Sequence, residues 1–314
     1  SGSSALSVAS KMSVVDAKSS GSSKIAAEGD DALYLDTEYI SKKFAKAYSG
    51  TFDASTDYSL DKTETFVHES SMEVFNQVNS ILCMIAQSKY GDMLGKGNYK
   101  AQVNEKKCDT NRDNASSNTS GSSGSNTSNI KYSFWTVNSS REANEPHIVN
   151  FWVNQDGSGE DPASIIYVKL KVYQASSTAN PLGYFIMNYI MHPVKSDGSV
   201  DTSQVYVKGT MRTVIEKSTS KTLLQFVDES NWDGTIYTTQ TTFKQSNGGT
   251  SGAGSIKTPN HSSGVTESYN IAFNESYFLR EDNSGDTTCF NRTSFDETVW
   301  SYGLYEATSD ATSD

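Results

Sequence analysis

From Ser164 to Gln174 apolar and polar positions alternate, so that Ile166, Val168, Leu170 and Val172 share one face while Tyr167, Lys169, Lys171 and Tyr173 share the other. A period of two is the spacing of a strand with one buried face. Val265–Phe273 repeats it, with Val265, Tyr269, Ile271 and Phe273 on one side. Nearby lie KYSFWTVNSS, HIVNFWVNQ, GYFIMNYIMH, VYVKGTMRTVIE, KTLLQFV and TIYTTQTTFK, most of them set off by turn formers such as Asp156-Gly157, Asp197-Gly198 and Asn247-Gly248. Sequential strands with short links pair antiparallel, so the pattern predicts a β-meander of eight or more strands.

Upstream the period lengthens. In TEYISKKFAKAY, Ile40, Phe44 and Tyr48 recur every four residues before Gly50, which predicts a short amphipathic helix over 37–48. A second helix is expected over Ser70–Gln87, where Ser70 and Glu73 are spaced as a capping box and Met72, Phe75, Val78, Ile81, Leu82 and Ile85 form one apolar face. Tyr99–Val103 reads as a returning strand, and Ala5–Val15 as a broken one, loose or paired at a sheet edge. Many strands with short links curl, and an apolar helix must be buried. The expected fold is therefore α+β, mainly β: an antiparallel meander forming a curved sheet or partly closed barrel around an N-terminal amphipathic helix. A β-sandwich with the helices outside is the alternative.

Composition divides the chain. Residues 1–30 are rich in Ser, Gly and Ala and read as a flexible tether or pairing strand, 31–306 as a single helix-plus-sheet domain interrupted by a low-complexity loop at 109–129, and 307–314 as a polar tail. The opening suits the tether of a lipoprotein whose acylated Cys precedes it, or equally an artificial or disordered terminus. The longest apolar stretch, near Ile81–Ile85, is far short of a membrane span, and no secretory leader is present. A net charge of −11 in 314 residues argues against nucleic acid and against docking on anionic lipid.

The candidate chemistry is sparse. Three cysteines in an exported chain allow one disulfide with a leftover thiol, a lost partner, or no bridge at all; the pair expected among Cys83, Cys108 and Cys289 is Cys83 with Cys108, because Tyr99–Val103 can bring the second back to the helix that carries the first. No Cys-x-x-Cys occurs, and His68, His147, His192 and His261 are too scattered to define a metal or catalytic cluster. The chain has no Gly-x-Ser-x-Gly elbow, and SNGGTSGAGS at 246–255 lacks the Gly-Lys-Ser of a phosphate loop, so it reads as a hairpin loop. No cofactor is expected except calcium. Asn154, Asp156, Ser158 and Glu160 place oxygens at alternate positions that can converge on a hard cation, against the alternative of a solvated turn. Asp228, Glu229 and Asp233 are a lesser candidate. Sequons at Asn114, Asn118, Asn126, Asn138, Asn260, Asn274 and Asn291 matter only if the host glycosylates. Trp135, Trp152, Tyr167, Tyr173, Tyr184 and Tyr189 fall on neighbouring strands, where a row on one open face would stack on sugars or form a protein interface; the alternative is that they are core residues or cross-strand pairs.

Three stretches carry a resemblance: MEVFNQVNSILCMIAQSKYGDMLGKGNYKAQV running on to Cys108, NPLGYFIMNY at 180–189, and VWSYGLYE at 299–306. They are similar to a family of uncharacterised bacterial outer-membrane lipoproteins. The resemblance implies export and outer-membrane attachment, with a periplasmic or extracellular location, and implies no reaction. In related chains the pattern runs on past Tyr-Gly-Leu-Tyr, which would make this chain a shortened or divergent member.

The leading expectation is a non-enzymatic structural or interaction component, binding protein partners or itself by strand addition. A carrier of lipid or another apolar ligand inside the sheet is the second. The third is a polysaccharide-acting hydrolase with carboxylates among Glu216, Asp228 and Glu267, which would make glycan the partner.

Overall fold

A computed structural model describes residues 4–9, 12, 58–59, 64–95, 97–108, 132–159, 162–215, 222–245, 252–273 and 278–282. The chain runs through β1 (Tyr58–Ser59), α1 (Glu64–Gln87), β2 (Asn98–Asn104) and a 3-10 turn (Glu105–Cys108). It continues through β3 (Tyr132–Ser140), β4 (His147–Gln155), β5 (Ser164–Gln174), β6 (Tyr184–Pro193) and β7 (Val207–Ile215). The last strands are β8 (Thr222–Trp232), β9 (Thr235–Gln245), β10 (Gly252–Pro259), β11 (Thr266–Phe273) and β12 (Phe278–Asp282). All twelve strands join one antiparallel sheet in the order β1-β12-β11-β10-β9-β8-β7-β6-β5-β4-β3-β2. Each strand from β2 to β12 pairs with its sequence neighbours, as the meander reading expected. No pairing joins β1 to β2 among the described residues, and the sheet is not closed.

Alternation sets the register. Val149 faces Leu170 across β4 and β5, Phe151 faces Val168, and Leu170 in turn faces Met187 on β6. All of these are buried on the side of the sheet that holds α1, and a slip of one residue would turn the whole set outward. On the outer side a smaller cluster of Trp152, Ile165 and Tyr167 is covered by Val194 and Val200 from the β6–β7 connection.

α1 begins at Glu64, six residues before the expected Ser70, so the Ser70/Glu73 pair lies inside the helix instead of capping it. Glu64–Glu69 contains no Gly or Pro, and nothing there stops the helix from extending. It also follows β1, so it is not an N-terminal element. Val74, Phe75, Val78, Leu82 and Ile85 are buried in the main core, and Phe75 meets Phe243 of β9 edge-on at 4.7 Å. Each such side chain contributes roughly 1.5–3 kcal/mol of burial. The expected helix over 37–48 lies outside the described residues.

The stretch 246–255 is only partly the loop its glycines suggested, because β10 starts at Gly252. A Cβ on Gly254 would stand 3.2 Å from Val74 Cγ1 and 3.3 Å from atoms of Ile271 and Phe243. At this position glycine lets the helix approach the strand closely. Val265, expected on the inner face of β11, is exposed just before the strand begins.

Cys83 on α1 and Cys108 at the end of the 3-10 turn form the disulfide, with Cα atoms 5.5 Å apart. Beside it the Gln87 side chain accepts from Asn104 N at 2.9 Å and donates to Asn104 O at 3.0 Å, so α1 also holds the outer edge of β2. The disulfide closes a 25-residue separation, for which loop-closure entropy gives about 3.5 kcal/mol. Replacing both cysteines with serine should lower the denaturation free energy by about that amount. Urea titration monitored by tryptophan fluorescence checks it, and an unchanged midpoint would show that the loop is held without the bond.

Candidate functional site

Residues 4–9 and 12 belong to no helix or strand, and they lie on the helix side of the sheet. Their side chains enter the core: Ala9 and Met12 are buried, and Leu6 and Val8 pack against the same cluster. Their main chain is held mostly by side chains from elsewhere in the fold. Asn79 of α1 accepts from Met12 N at 2.7 Å and donates to Met12 O at 3.0 Å, pairing with that residue as a neighbouring strand would. The Tyr90 hydroxyl accepts from Val8 N at 3.0 Å and donates to Leu6 O at 2.8 Å. His147 Nδ1 accepts from Leu6 N at 3.1 Å, the Arg141 guanidinium donates to Ser4 O, and Ser176 N donates to Ser7 O at 3.2 Å. Gly91 makes room for Ala5, whose Cβ is 2.7 Å from the place a Cβ on Gly91 would occupy. The result is a groove that grips the segment by its backbone and gives its apolar side chains pockets.

His147 is the polar centre of the groove. Its ring is fully buried, lies edge-on to Tyr90 at 5.0 Å, and has Nε2 2.7 Å from Ser139 Oγ. Burial, and then the nearby Arg141 guanidinium, push its pKa down to about 4. Burial likewise raises the Tyr90 hydroxyl above its ordinary value. Because Nδ1 accepts from Leu6, the neutral ring carries its proton on Nε2 and donates it to Ser139. A serine paired with a histidine as a nucleophile needs the reverse, an unprotonated nitrogen facing the hydroxyl. The pair is therefore wired to hold the backbone.

A second buried polar group ties helix to sheet. Tyr189, Gly209 and Asp228 are consecutive partners across β6, β7 and β8, and the Tyr189 ring lies over Gly209 to donate its hydroxyl to Asp228 Oδ2. Burial raises the Asp228 carboxyl above its usual range, against the lowering effect of hydrogen bonds from Tyr189 and Gln77 of α1. Burial, and then the facing Asp228, raise Tyr189 well above its ordinary value.

A third feature lies at the β8–β9 hairpin, where Asp233 and Gly234 adopt φ of 48° and 82°, the backbone of a tight type I′ turn. On one side of the hairpin a cleft of about 580 Å³ is lined by Gln204, Tyr206, Asn231 and Ile236, with the Lys208–Glu229 ion pair at 3.2 Å along it. Trp232, 65% exposed, and Tyr237 both lie against His261, at 5.9 Å and 4.3 Å.

The six aromatic residues form no single row and take the core and cross-strand positions of the other reading. Strand alternation and register send Trp135 and Tyr189 into the main core and Trp152 and Tyr167 to the cluster on the outer side. Tyr173 and Tyr184 stack on each other at 4.6 Å. In the suggested calcium loop Asn154, Asp156 and Ser158 are exposed, and Glu160 lies outside the described residues. Asp228 and Glu229 are adjacent on β8 and so face opposite sides, which separates them from each other. Glu267 accepts from Asn260 Nδ2 at 2.8 Å and from the Tyr269 hydroxyl at 3.2 Å, while Glu216 and Cys289 lie outside the described residues. Among the described residues no group of three or more His, Cys, Asp or Glu could hold a metal ion, and no helix is long and apolar enough to cross a membrane.

Sequence reasoning passed over Asn79, Tyr90, Gly91 and Arg141. Each is ordinary in its local context, and only contact with residues far away in sequence gives it a role.

The fold and groove together define an open antiparallel β-meander protein that seats residues 4–9 and 12 of its own chain on the helix side of its sheet. No protein-family model, curated protein or solved structure matches the chain.

Proposed function

We propose that the protein is a non-enzymatic, lipoprotein-like component of the cell surface or periplasm that works by binding protein, including further copies of itself. The observation that carries this reading is the grip on residues 4–9 and 12. His147, Tyr90, Asn79 and Arg141 all bind peptide main chain, which is the chemistry of peptide recognition rather than of bond cleavage.

The sheet in this reading curves about α1. Val74 and Phe75 meet β10 and β9, while Gln87 meets β2. Those helix positions span about 18 Å at the helical rise. Seven strand spacings separate β9 from β2, roughly 33 Å of sheet. A bowed sheet brings both within reach of one helix, which supports the curved reading. With α1 and residues 4–9 and 12 packed on that side of the sheet, the arrangement favours peptide over lipid as its guest.

Light scattering and negative-stain microscopy at rising protein concentration test the reading. Reversible growth beyond the monomer, or specific retention of a surface protein from the host, is expected. A particle that stays monomeric throughout and retains no surface protein would overturn it.

A further inference from the structure

Residues 4–9 and 12 are bound as a guest. They belong to no strand, and among the described residues the groups that hold them, Asn79, Tyr90, Gly91, Arg141, His147 and Ser176, come from α1, the turn after it, β4 and the connections beside β4 and β5. We propose that the groove between α1 and β4 is an exchangeable binding site, and that its occupant in an assembly is the 4–12 segment of a second copy of this chain. The proposal rests on the protein-binding reading above and names its site and partner.

Three observations select that partner. The groove is fitted to this sequence in detail, with room at Gly91 for Ala5 and core positions for Ala9 and Met12. The contacts are separate hydrogen bonds, most of them from side chains, instead of a continuous ladder, so they can be broken in small steps. Every copy carries the same segment, so the contacts made in trans equal those made in cis. Exchange then leaves the interaction energy unchanged, and local concentration decides between closed monomer and linked copies. An outer-membrane or other crowded surface would favour linkage. Passing segments head to tail, each copy gives one and receives one, which builds rings or filaments.

Complementation between two full-length variants tests the idea. In the first, Leu6→Asp with Met12→Asp spoils the segment and leaves the groove intact. In the second, Asn79→Ala with Gly91→Val spoils the groove and leaves the segment intact. Circular dichroism and the intact Cys83–Cys108 bond establish that each is folded. Neither variant alone should pass a segment between its own copies, whereas an equimolar mixture should give a 1:1 complex in native mass spectrometry. As a second measurement, a labelled peptide of residues 4–12 should bind the segment-spoiled chain at least tenfold more tightly than the groove-spoiled one, and this holds even if the mixture is slow to exchange. If the unaltered chain assembles but the mixture forms no complex and the peptide does not discriminate, assembly runs through another surface: the exchange proposal falls and the protein-binding reading stands. If both variants assemble as well as the unaltered chain, the proposal falls in the same way. If nothing assembles and the peptide binds neither variant, both fall.

Discussion

A Gly209→Val chain is expected to lose roughly 3–4 kcal/mol of stability, a large loss for a single substitution. A Cβ at this position would stand 2.1 Å from Tyr189 Cζ and 2.3 Å from its hydroxyl, far inside contact distance. The ring cannot yield without leaving the surface of β7, where its neighbours are already packed. Leaving it would strip Asp228 of the hydroxyl that donates to it and leave a buried carboxyl short of a partner. Two costs therefore add: overpacking of the core and an unsatisfied polar group. Denaturant unfolding of Gly209→Val, Tyr189→Leu and the double variant checks this as a cycle. The double variant should be more stable than the two single losses summed, because removing the ring removes the clash; simple additivity would mean that Gly209 and Tyr189 do not act together.

His147 should make the protein lose stability as the pH falls from about 6.5 to about 4. The sign follows from the direction of the shift. Its folded pKa is about 4, below the free value of 6.5, so the fold prefers the neutral ring. The stabilisation is complete above 6.5, is lost progressively as the ring of the unfolded chain protonates, and has gone once the folded ring protonates near 4. A shift of this size corresponds to on the order of 3 kcal/mol. Protonation would also place a proton on Nδ1, where the ring now accepts from Leu6, next to the cationic Arg141. The groove should release the 4–12 segment over the same range. Asp228 acts in the opposite sense, since its raised pKa favours the fold at low pH and its contribution fades as pH rises through that value. The informative quantity is thus the difference between the unaltered chain and His147→Asn. Subtracting their unfolding free energies from pH 7.5 to 4 should isolate the histidine's loss, and parallel curves would show that the ring carries no such linkage.

How legible the fold is in the primary structure differs from one residue to the next. The strands β3 to β9 are nearly all visible there, because one buried face per strand imposes a period of two that a single sequence displays. β5 and β4 match their expected bounds in full. β10 was missed because its first residues are Gly-Ala-Gly-Ser, turn-like by composition, and only the presence of Val74 above Gly254 explains a glycine in a strand. The helix was visible and its start was not, since a capping box permits a helix to begin without compelling it. The aromatic row failed for a related reason. Side chains on adjacent strands share a face only when register and parity agree, and parity places Phe151 and Trp152, neighbours in sequence, on opposite sides.

The pairing of Cys83 with Cys108 and the mainly-β, antiparallel class follow from the order of residues, because both depend on local period and short connections. The role of the N-terminal stretch does not. Leu6, Val8 and Met12 suggest a broken strand, and whether such a strand pairs at an edge or lies in a groove depends on what faces it. Asn79, Tyr90, Arg141 and His147 come from different elements, and no local pattern relates them. Sequence determined which segments would be strands and helix; the tertiary structure alone decided that a groove holding residues 4–9 and 12 lies between them, since a groove is made by residues that meet only after the chain has folded.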